Sequence, residues 1–232
     1  MISIIIPTLN EEIIIESTLK NIRMHIQNTP HEIIVSDGGS RDKTVAIAEK
    51  FALVVKSEKG KAIQLNEGAR RASGDILFFV QADTIIPRMA FETIELKIYI
   101  QGYDGGGFSN VFSKHNKKIK TLGRILNFRI FTNDHRKNLI FFGDNGIFCK
   151  REVFDRLGGY SLIPIMEDYD FSKRLRDRFK AVRILDPKLI MSSRRFVKDG
   201  FVKTRLLWII IKRLYQLGIS PYFLAKLYKD VR

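Results

Sequence analysis

The sequence predicts an α/β protein: a doubly wound, mainly parallel sheet with flanking helices and a helical, basic C-terminal extension. Three observations carry this. Short charge-free apolar runs, such as Ile76-Leu77-Phe78-Phe79-Val80, read as strands buried on both faces. Helical segments alternate with them over about the first 85 residues. Charge is also unevenly divided: residues 1–110 carry 12 Lys and Arg against 14 Asp and Glu, whereas residues 111–232 carry 28 against 11.

In order, residues 2–6 form the first strand. Thr8-Leu9-Asn10-Glu11 then opens a helix to about residue 27, with Thr8 and Glu11 at capping-box spacing. Residues 32–36 form the second strand, closed by Asp37-Gly38-Gly39-Ser40, and Ser40 caps a helix over 43–51. A strand at 53–56, a helix at 60–72 and the turn Ser73-Gly74-Asp75 lead to the strand at 76–80. Pro87 begins the next helix, over 88–101. Right-handed crossovers should join the parallel strands.

Past residue 101 the alternation stops. Residues 105–112 read as a strand that is antiparallel or at an edge, with Gly105-Gly106-Gly107 belonging to it rather than to a phosphate cradle. A basic helical stretch at 114–131 (Lys114, Lys117, Lys118, Lys120, Arg124 on one stripe) and a polar segment at 132–138 follow. Residues 144–150 form a short strand, and 151–157 a helix ended by Gly158-Gly159. Residues 167–178 form a helix whose acidic start and basic end match the macrodipole. Short strands are expected at 181–185 and 189–192, then helices at 200–217 and 220–231 separated by Gly218.

Composition narrows the classes. The 232 residues, 45% of them hydrophobic, can bury a sizeable core, and no repeat or linker divides them, so one domain is expected. Cys149 is the only cysteine, which excludes an intramolecular disulfide and favours a reducing, cytoplasmic setting; it reads as a small buried hydrophobe. The opening residues 1–7 read as a strand rather than a signal peptide, and no apolar run reaches bilayer-spanning length. His25, His31, His115 and His135 share no ligand spacing, which argues against zinc. The basic second half implies an anionic partner: a phosphate-bearing ligand, nucleic acid or a membrane surface.

Three polar clusters, Thr8–Glu12, Asp37–Ser40 and Gln81–Thr84, follow the first, second and fourth strands. In a parallel sheet all three fall on one edge, where ligands of open α/β sheets bind. Helix N-termini there suit a diphosphate, and Asp37 can accept a hydrogen bond from a base or ribose. Asp83 either caps a polar turn or holds a divalent cation whose shell is completed by water and a substrate diphosphate. Neither G-x-x-x-x-G-K-[ST] nor G-x-G-x-x-G is present. Met166-Glu167-Asp168-Tyr169-Asp170 is either helix capping or the seat of a general base. In residues 201–217, Phe201, Val202, Leu206, Trp208, Ile209, Ile210 and Leu214 alternate with Lys203, Arg205, Lys212 and Arg213. That pattern fits a helix packed on the domain with snorkelling charges, or one lying on an anionic membrane beside a lipid-linked acceptor.

Ser3-Ile4-Ile5-Ile6-Pro7-Thr8-Leu9-Asn10-Glu11, Ser36-Asp37-Gly38-Gly39-Ser40-Arg41-Asp42-Lys43-Thr44, Asn66-Glu67-Gly68-Ala69, Ala72-Ser73-Gly74-Asp75 and Gln81-Ala82-Asp83 together resemble the family 2 glycosyltransferases, enzymes of GT-A fold that use nucleotide-diphosphate sugars. Glu167-Asp168 followed by Arg174-Leu175 resembles that family's base-bearing segment. Gly143-Asp144-Asn145-Gly146-Ile147-Phe148, Leu157-Gly158-Gly159-Tyr160 and the stretch from Leu217-Gly218-Ile219-Ser220-Pro221 to Arg232 resemble the rSAM/selenodomain-associated transferase 2 subgroup.

The resemblance implies a nucleotide-sugar half at 1–112, an acceptor-side half at 113–199 and a helical extension at 200–232. Pro7, Thr8, Asn10 and Glu11 would line the nucleotide, Asp37 with Gly38 would contact the base, and Lys61 would approach base or phosphates. Gln81, Ala82 and Asp83 would form the D-x-D-like element, with Asp83 holding Mn2+ or Mg2+ against the diphosphate. Asp168 would deprotonate the acceptor, giving transfer with inversion, and Asp144 and Glu167 would shape the acceptor pocket. Gln81 departs from the family, many of whose members carry Asp there, so the site has one charge fewer. A sugar nucleotidyltransferase would need a Gly-rich loop after the first strand, which Pro7-Thr8-Leu9-Asn10-Glu11 is not. A nucleic-acid-binding reading rests on the basic half alone and leaves the strand-end clusters unexplained. A non-catalytic sugar-nucleotide-binding protein is the reading that Gln81 would favour.

Overall fold

A computed structural model describes residues 1–26, 29–112, 139–192 and 200–228. The strands are β1 (Ile2–Thr8), β2 (His31–Asp37), β3 (Leu53–Lys56), β4 (Ile76–Phe79), β5 (Gly105–Phe112), β6 (Ile147–Lys150) and β7 (Ala181–Met191). They form one sheet in the order β3-β2-β1-β4-β6-β5-β7. The first four are parallel, β6 is antiparallel to both β4 and β5, and β5 is parallel to β7. The helices are α1 (Ile15–His25), α2 (Thr44–Ala48), α3 (Lys61–Arg71), α4 (Ala90–Glu95, running on into a π turn at Leu96–Ile100), α5 (Arg151–Leu157), α6 (Glu167–Arg178), α7 (Phe201–Gln216) and α8 (Pro221–Leu227).

The strand period of two explains why the apolar runs are continuous. Ile4, Ile6 and Phe78 enter one core with Leu19 and Ile22 of α1 and Phe91 of α4. Their neighbours Ile5, Leu77 and Phe79 enter the opposite core with Leu65 of α3, Phe154 of α5 and Phe171 of α6. Both faces are therefore covered, as the doubly wound expectation requires. Cys149 is fully buried in the second core, which raises its thiol pKa.

Several expectations need correction. Thr8 and Glu11 do not cap a helix. Thr8 is still in strand register with Asp37, residues 12–14 form a turn, and α1 begins only at Ile15. Ser40 does not cap α2 either; its amide and hydroxyl both donate back to Asp37, while Asp42 accepts from the Thr44 amide. The helix after Pro87 starts at Ala90, behind a left-handed Met89. Of the two readings of β5, the antiparallel one holds, against β6, but the strand lies inside the sheet rather than at its edge, and its glycines are enforced by crowding. A Cβ at Gly105 would stand 2.6 Å from the Phe148 carbonyl oxygen, and one at Gly106 would overlap that of Val182. Residues 143–145 form a 3₁₀ turn, leaving β6 to start at Ile147. The two strands expected at 181–192 are one, β7, whose register shifts opposite Phe108/Asn110 to absorb the middle. The basic stretch expected at 114–131, the segment expected at 132–138 and residues 229–231, expected to end the final helix, lie outside the described residues.

Candidate active site

Because β1 and β2 are parallel and in register from Ile2↔His31 to Thr8↔Asp37, their polar ends emerge side by side. The two loops are then cross-tied. The Asn10 amide donates to Ser40 Oγ (2.8 Å), Glu11 N–H to Thr44 Oγ1 (2.8 Å) and Glu12 N–H to Asp42 (3.2 Å). In return Arg41 N–H donates to Asn10 Oδ1 (2.9 Å) and Lys43 N–H to Glu12 (3.0 Å). Asn10 adopts φ 55°, a left-handed turn that Asn tolerates. The buried Asp37 carboxylate accepts from the Gly39 and Ser40 amides, from Ser40 Oγ and from Thr8 Oγ1. Its four acceptor positions are thus occupied, three by the turn itself and one by Thr8 of β1.

Gln64, on α3, was not singled out by the sequence. Its buried amide donates to the carbonyls of Thr8 (2.7 Å) and Ser36 (2.9 Å), stitching the two strand ends together. A Cβ on Gly38 would come within 3.0 Å of that side chain. Nothing but its place on the inner face of α3 marks Gln64, and an isolated Gln in a helix carries no such signal.

The end of β4 joins the same rim. Thr18 Oγ1 of α1 donates to the Ala82 carbonyl at 2.6 Å, and the Thr84 amide closes the turn onto Gln81. Asp83 is half-buried in that turn. Since β6 is antiparallel to β4, with Ile147 opposite Phe79, the 3₁₀ turn Gly143–Asn145 that precedes β6 returns to this end of the sheet.

There Gly143 meets three elements. A Cβ on it would stand 2.6 Å from both Gln81 Nε2 and Lys61 Nζ. Its amide donates to Asp168 Oδ2 at 2.7 Å, and Asp168 Oδ1 accepts from the Tyr169 amide at 2.7 Å. Lys61, the first residue of α3, places its ammonium 2.9 Å from Glu167 and 3.6 Å from Asp168. Burial alone would depress the Lys61 pKa, but Glu167, Asp168 and Asp144 outweigh it and hold it above the ordinary lysine value. Glu167 is 5% exposed, and burial raises its pKa despite the lysine beside it. Asp144, next to Gly143, adds its field to Lys61 and to the partly buried Arg183, whose pKa burial lowers to about 10 despite that carboxylate.

The loop before α6 is held by Arg174. Its guanidinium pairs with Asp170 at 2.7 Å and donates to the Leu157 (2.6 Å) and Gly159 (2.9 Å) carbonyls. Asn66 of α3 clamps the same loop, exchanging hydrogen bonds of 2.8 Å with the Tyr160 amide and carbonyl. So Lys61, Gln81, Asp168 and Glu167, far apart in sequence, meet around Gly143, beside the rim that carries Thr8, Asn10, Glu11 and Asp37.

Among the described residues no three His, Cys, Asp or Glu gather as a metal cluster. A single half-buried carboxylate in a turn at the sheet's end, with an amide two residues before it, fits a cation that keeps several waters and takes phosphate oxygens from a substrate. It does not fit an all-protein cage.

A protein-family model described as "Glycosyl transferase family 2" matches residues 3–158. The probable glycosyltransferase YdaM of Bacillus subtilis is 26% identical over 195 residues, covering 75% of this chain but 46% of that protein. The chain thus spans under half of that curated relative. The mannosyltransferase PcManGT from Pyrobaculum calidifontis, solved with GDP-Man and Mn2+, superposes with a TM-score of 0.66 at 24% identity, covering 100% of this chain and 65% of that one. The glucosyl-3-phosphoglycerate synthase of Mycobacterium tuberculosis, solved with Mn2+, UDP-glucose and phosphoglyceric acid, gives a TM-score of 0.55 at 21% identity, covering 83% and 70%. At these identities the two structures speak to the fold, which is that of GT-A glycosyltransferases.

Proposed function

Because the chain belongs to glycosyl transferase family 2, we propose that it moves a hexosyl group from a nucleotide-diphosphate sugar to an acceptor hydroxyl or phosphate, with inversion. The nucleotide lies along the rim formed by Pro7, Thr8, Asn10 and Glu11. Asp37 acts through the Gly38-Gly39 turn that it holds, since its own oxygens are already engaged. Lys61 faces the diphosphate, and Gln81, Ala82 and Asp83 lie beneath it. Asp83 would hold Mn2+ or Mg2+, whose chemistry is to meet the negative charge of the departing diphosphate.

Asp168 is the general base. Its two amide hydrogen bonds fix the carboxylate, and an oxygen lone pair takes the acceptor proton as the acceptor oxygen bonds to the anomeric carbon. The bond from that carbon to the diphosphate oxygen breaks, and its electron pair leaves with the nucleoside diphosphate. Glu167 and Asp144 shape the acceptor side. An acceptor phosphate arrives already ionised, so Asp168 would matter less for it than for a hydroxyl. The finer likeness to the rSAM/selenodomain-associated transferase 2 subgroup belongs to the same proposal.

The observation that supports this best is the meeting of Lys61 with Asp168, through Gly143, at the end of the sheet where β4 delivers Gln81. The test is a panel of UDP- and GDP-sugars with Mn2+ or Mg2+, scored by thermal shift and by release of nucleoside diphosphate. Stabilisation by one donor class with slow diphosphate release is expected. Stabilisation without release in the presence of any acceptor would reduce the protein to a sugar-nucleotide binder, and no response to any donor would overturn the proposal.

A further inference from the structure

The inner face of the α7–α8 hairpin is accounted for by packing. Ile211 and Leu224 join Met166 and Tyr169 in one apolar cluster, ringed by Leu207, Leu214 and Tyr215. Gln216 Nε2 donates to Tyr169 Oη at 2.8 Å. The opposite face of a surface helix is expected to be polar. Here it is not. Leu206 (54% exposed), Ile210 (53%) and Leu217 (79%) project from α7 and its end, and Tyr222 (61%) and Phe223 (55%) from α8. Residues 203, 206, 210, 213 and 217 are three or four apart, so they form one stripe in which Lys203 and Arg213 are the exposed charges. Lys226 is exposed on α8. Tyr222 Oη donates to the Leu162 carbonyl at 3.4 Å, and the exposed Leu162 carries the patch onto the loop before α6.

We infer that this hairpin docks on an anionic lipid bilayer, with its apolar residues at the headgroup–acyl boundary and Lys203, Arg213 and Lys226 at headgroup phosphates. Apolar side chains interleaved with cations on one face suit that interface. No helix among the described residues is long and apolar enough to cross a membrane, so the hairpin lies on the surface. A second copy of the chain is a poorer occupant. Residues 111–232 carry 28 Lys and Arg against 11 Asp and Glu, and pairing two such halves opposes like charge. The cluster under the hairpin includes Met166 and Tyr169, the residues that flank Glu167 and Asp168. Resting on the function proposed above, docking brings a lipid-borne acceptor to the side of the molecule where Asp168 sits.

The experiment is co-sedimentation of the full chain with vesicles of phosphatidylcholine alone or mixed with phosphatidylglycerol. Pelleting with the mixed vesicles and not the neutral ones is expected. Raising salt from ~0.1 M to ~1 M, which shortens the Debye length from ~10 Å to ~3 Å, should release most of it. Ile210→Glu combined with Leu217→Glu should weaken binding at least about tenfold, while leaving the melting temperature and donor-induced thermal shift unchanged, because both side chains are exposed. Absence of pelleting, salt-insensitive pelleting, or equal pelleting of the double variant would overturn the inference. A dimer by light scattering that the double variant abolishes would assign the face to a second copy. Vesicle binding in a protein that answers no nucleotide sugar would leave docking standing and remove the transferase reading instead.

Discussion

Asp168→Asn separates the chemistry of the site from its architecture. Each carboxylate oxygen accepts one amide at 2.7 Å, from Gly143 and from Tyr169. A carboxamide keeps one acceptor and turns an NH2 toward the other amide, so one hydrogen bond is lost and two donors face each other. That costs about 1–3 kcal/mol of stability. Lys61 retains Glu167 at 2.9 Å, so the ammonium stays paired. If Asp168 takes the acceptor proton, its removal lowers kcat by about 10²–10⁴-fold. At ~1.36 kcal/mol per decade this is ~2.7–5.4 kcal/mol on the barrier, read in turnover, whereas the structural loss is read in unfolding. Release of nucleoside diphosphate from the active donor measures turnover, and calorimetry measures donor binding, which should stay within about threefold of the parent. Turnover near the parental rate, or turnover and donor affinity falling together, would refute the base assignment.

Other outcomes follow from the same geometry. Lys61→Met leaves Glu167 buried without its cation; with the Lys61 side chain 29% exposed, solvent screening reduces the buried-pair cost to about 1–3 kcal/mol in urea unfolding. The raised Lys61 pKa means that this stabilisation is fully present below the ordinary lysine value of ~10.4 and is lost as pH rises through the higher folded one. The deficit should therefore be constant between about pH 7 and 9. Gly143→Ala puts a methyl 2.6 Å from Gln81 Nε2 and Lys61 Nζ, both ends of movable side chains, so activity should fall with little change in melting temperature. Asp83→Ala should remove Mn2+-stimulated donor binding in calorimetry while leaving any metal-independent binding in place. Asp104 accepts from Lys150 Nζ (2.9 Å) and the Lys180 amide (3.0 Å), and despite partial burial its pKa is lowered. Asp104→Asn should cost about 1–3 kcal/mol at pH 7, a difference that shrinks as pH falls below the ordinary Asp value of ~3.9 and through the depressed folded one.

The strands of the first half were legible because runs such as Ile76-Leu77-Phe78-Phe79-Val80 have no polar residue to place on a solvent face. Parallel pairing then fixed which polar clusters converge. The helix at Glu167–Arg178 was equally plain from its charged ends. Thr8 and Glu11 misled because their spacing satisfies a local capping rule that strand pairing overrides: Thr8 is held by Asp37 of the neighbouring strand before any helix can begin. What sequence could not show was the role of groups whose partners arrive from a distant segment. Gln64 reads as an ordinary helical residue until β1 and β2 present their last carbonyls to it. Gly143 reads as a turn residue until β6 is seen to run antiparallel. Arg174 shows its tie to Asp170 by i,i+4 spacing, but its grip on Leu157 and Gly159 depends on the loop folding back.

The reciprocal ties between residues 10–12 and 40–44 bear on how a ligand is received there. Segments that must be ordered on binding subtract from affinity, by about 0.5–1.5 kcal/mol for each rotamer-rich side chain immobilised. Here the fold has already frozen the backbone of both loops, each using the other's side chains as its template. Association on this side of the crevice should be close to lock-and-key, with the entropic cost of shaping the cradle met during folding rather than at each encounter.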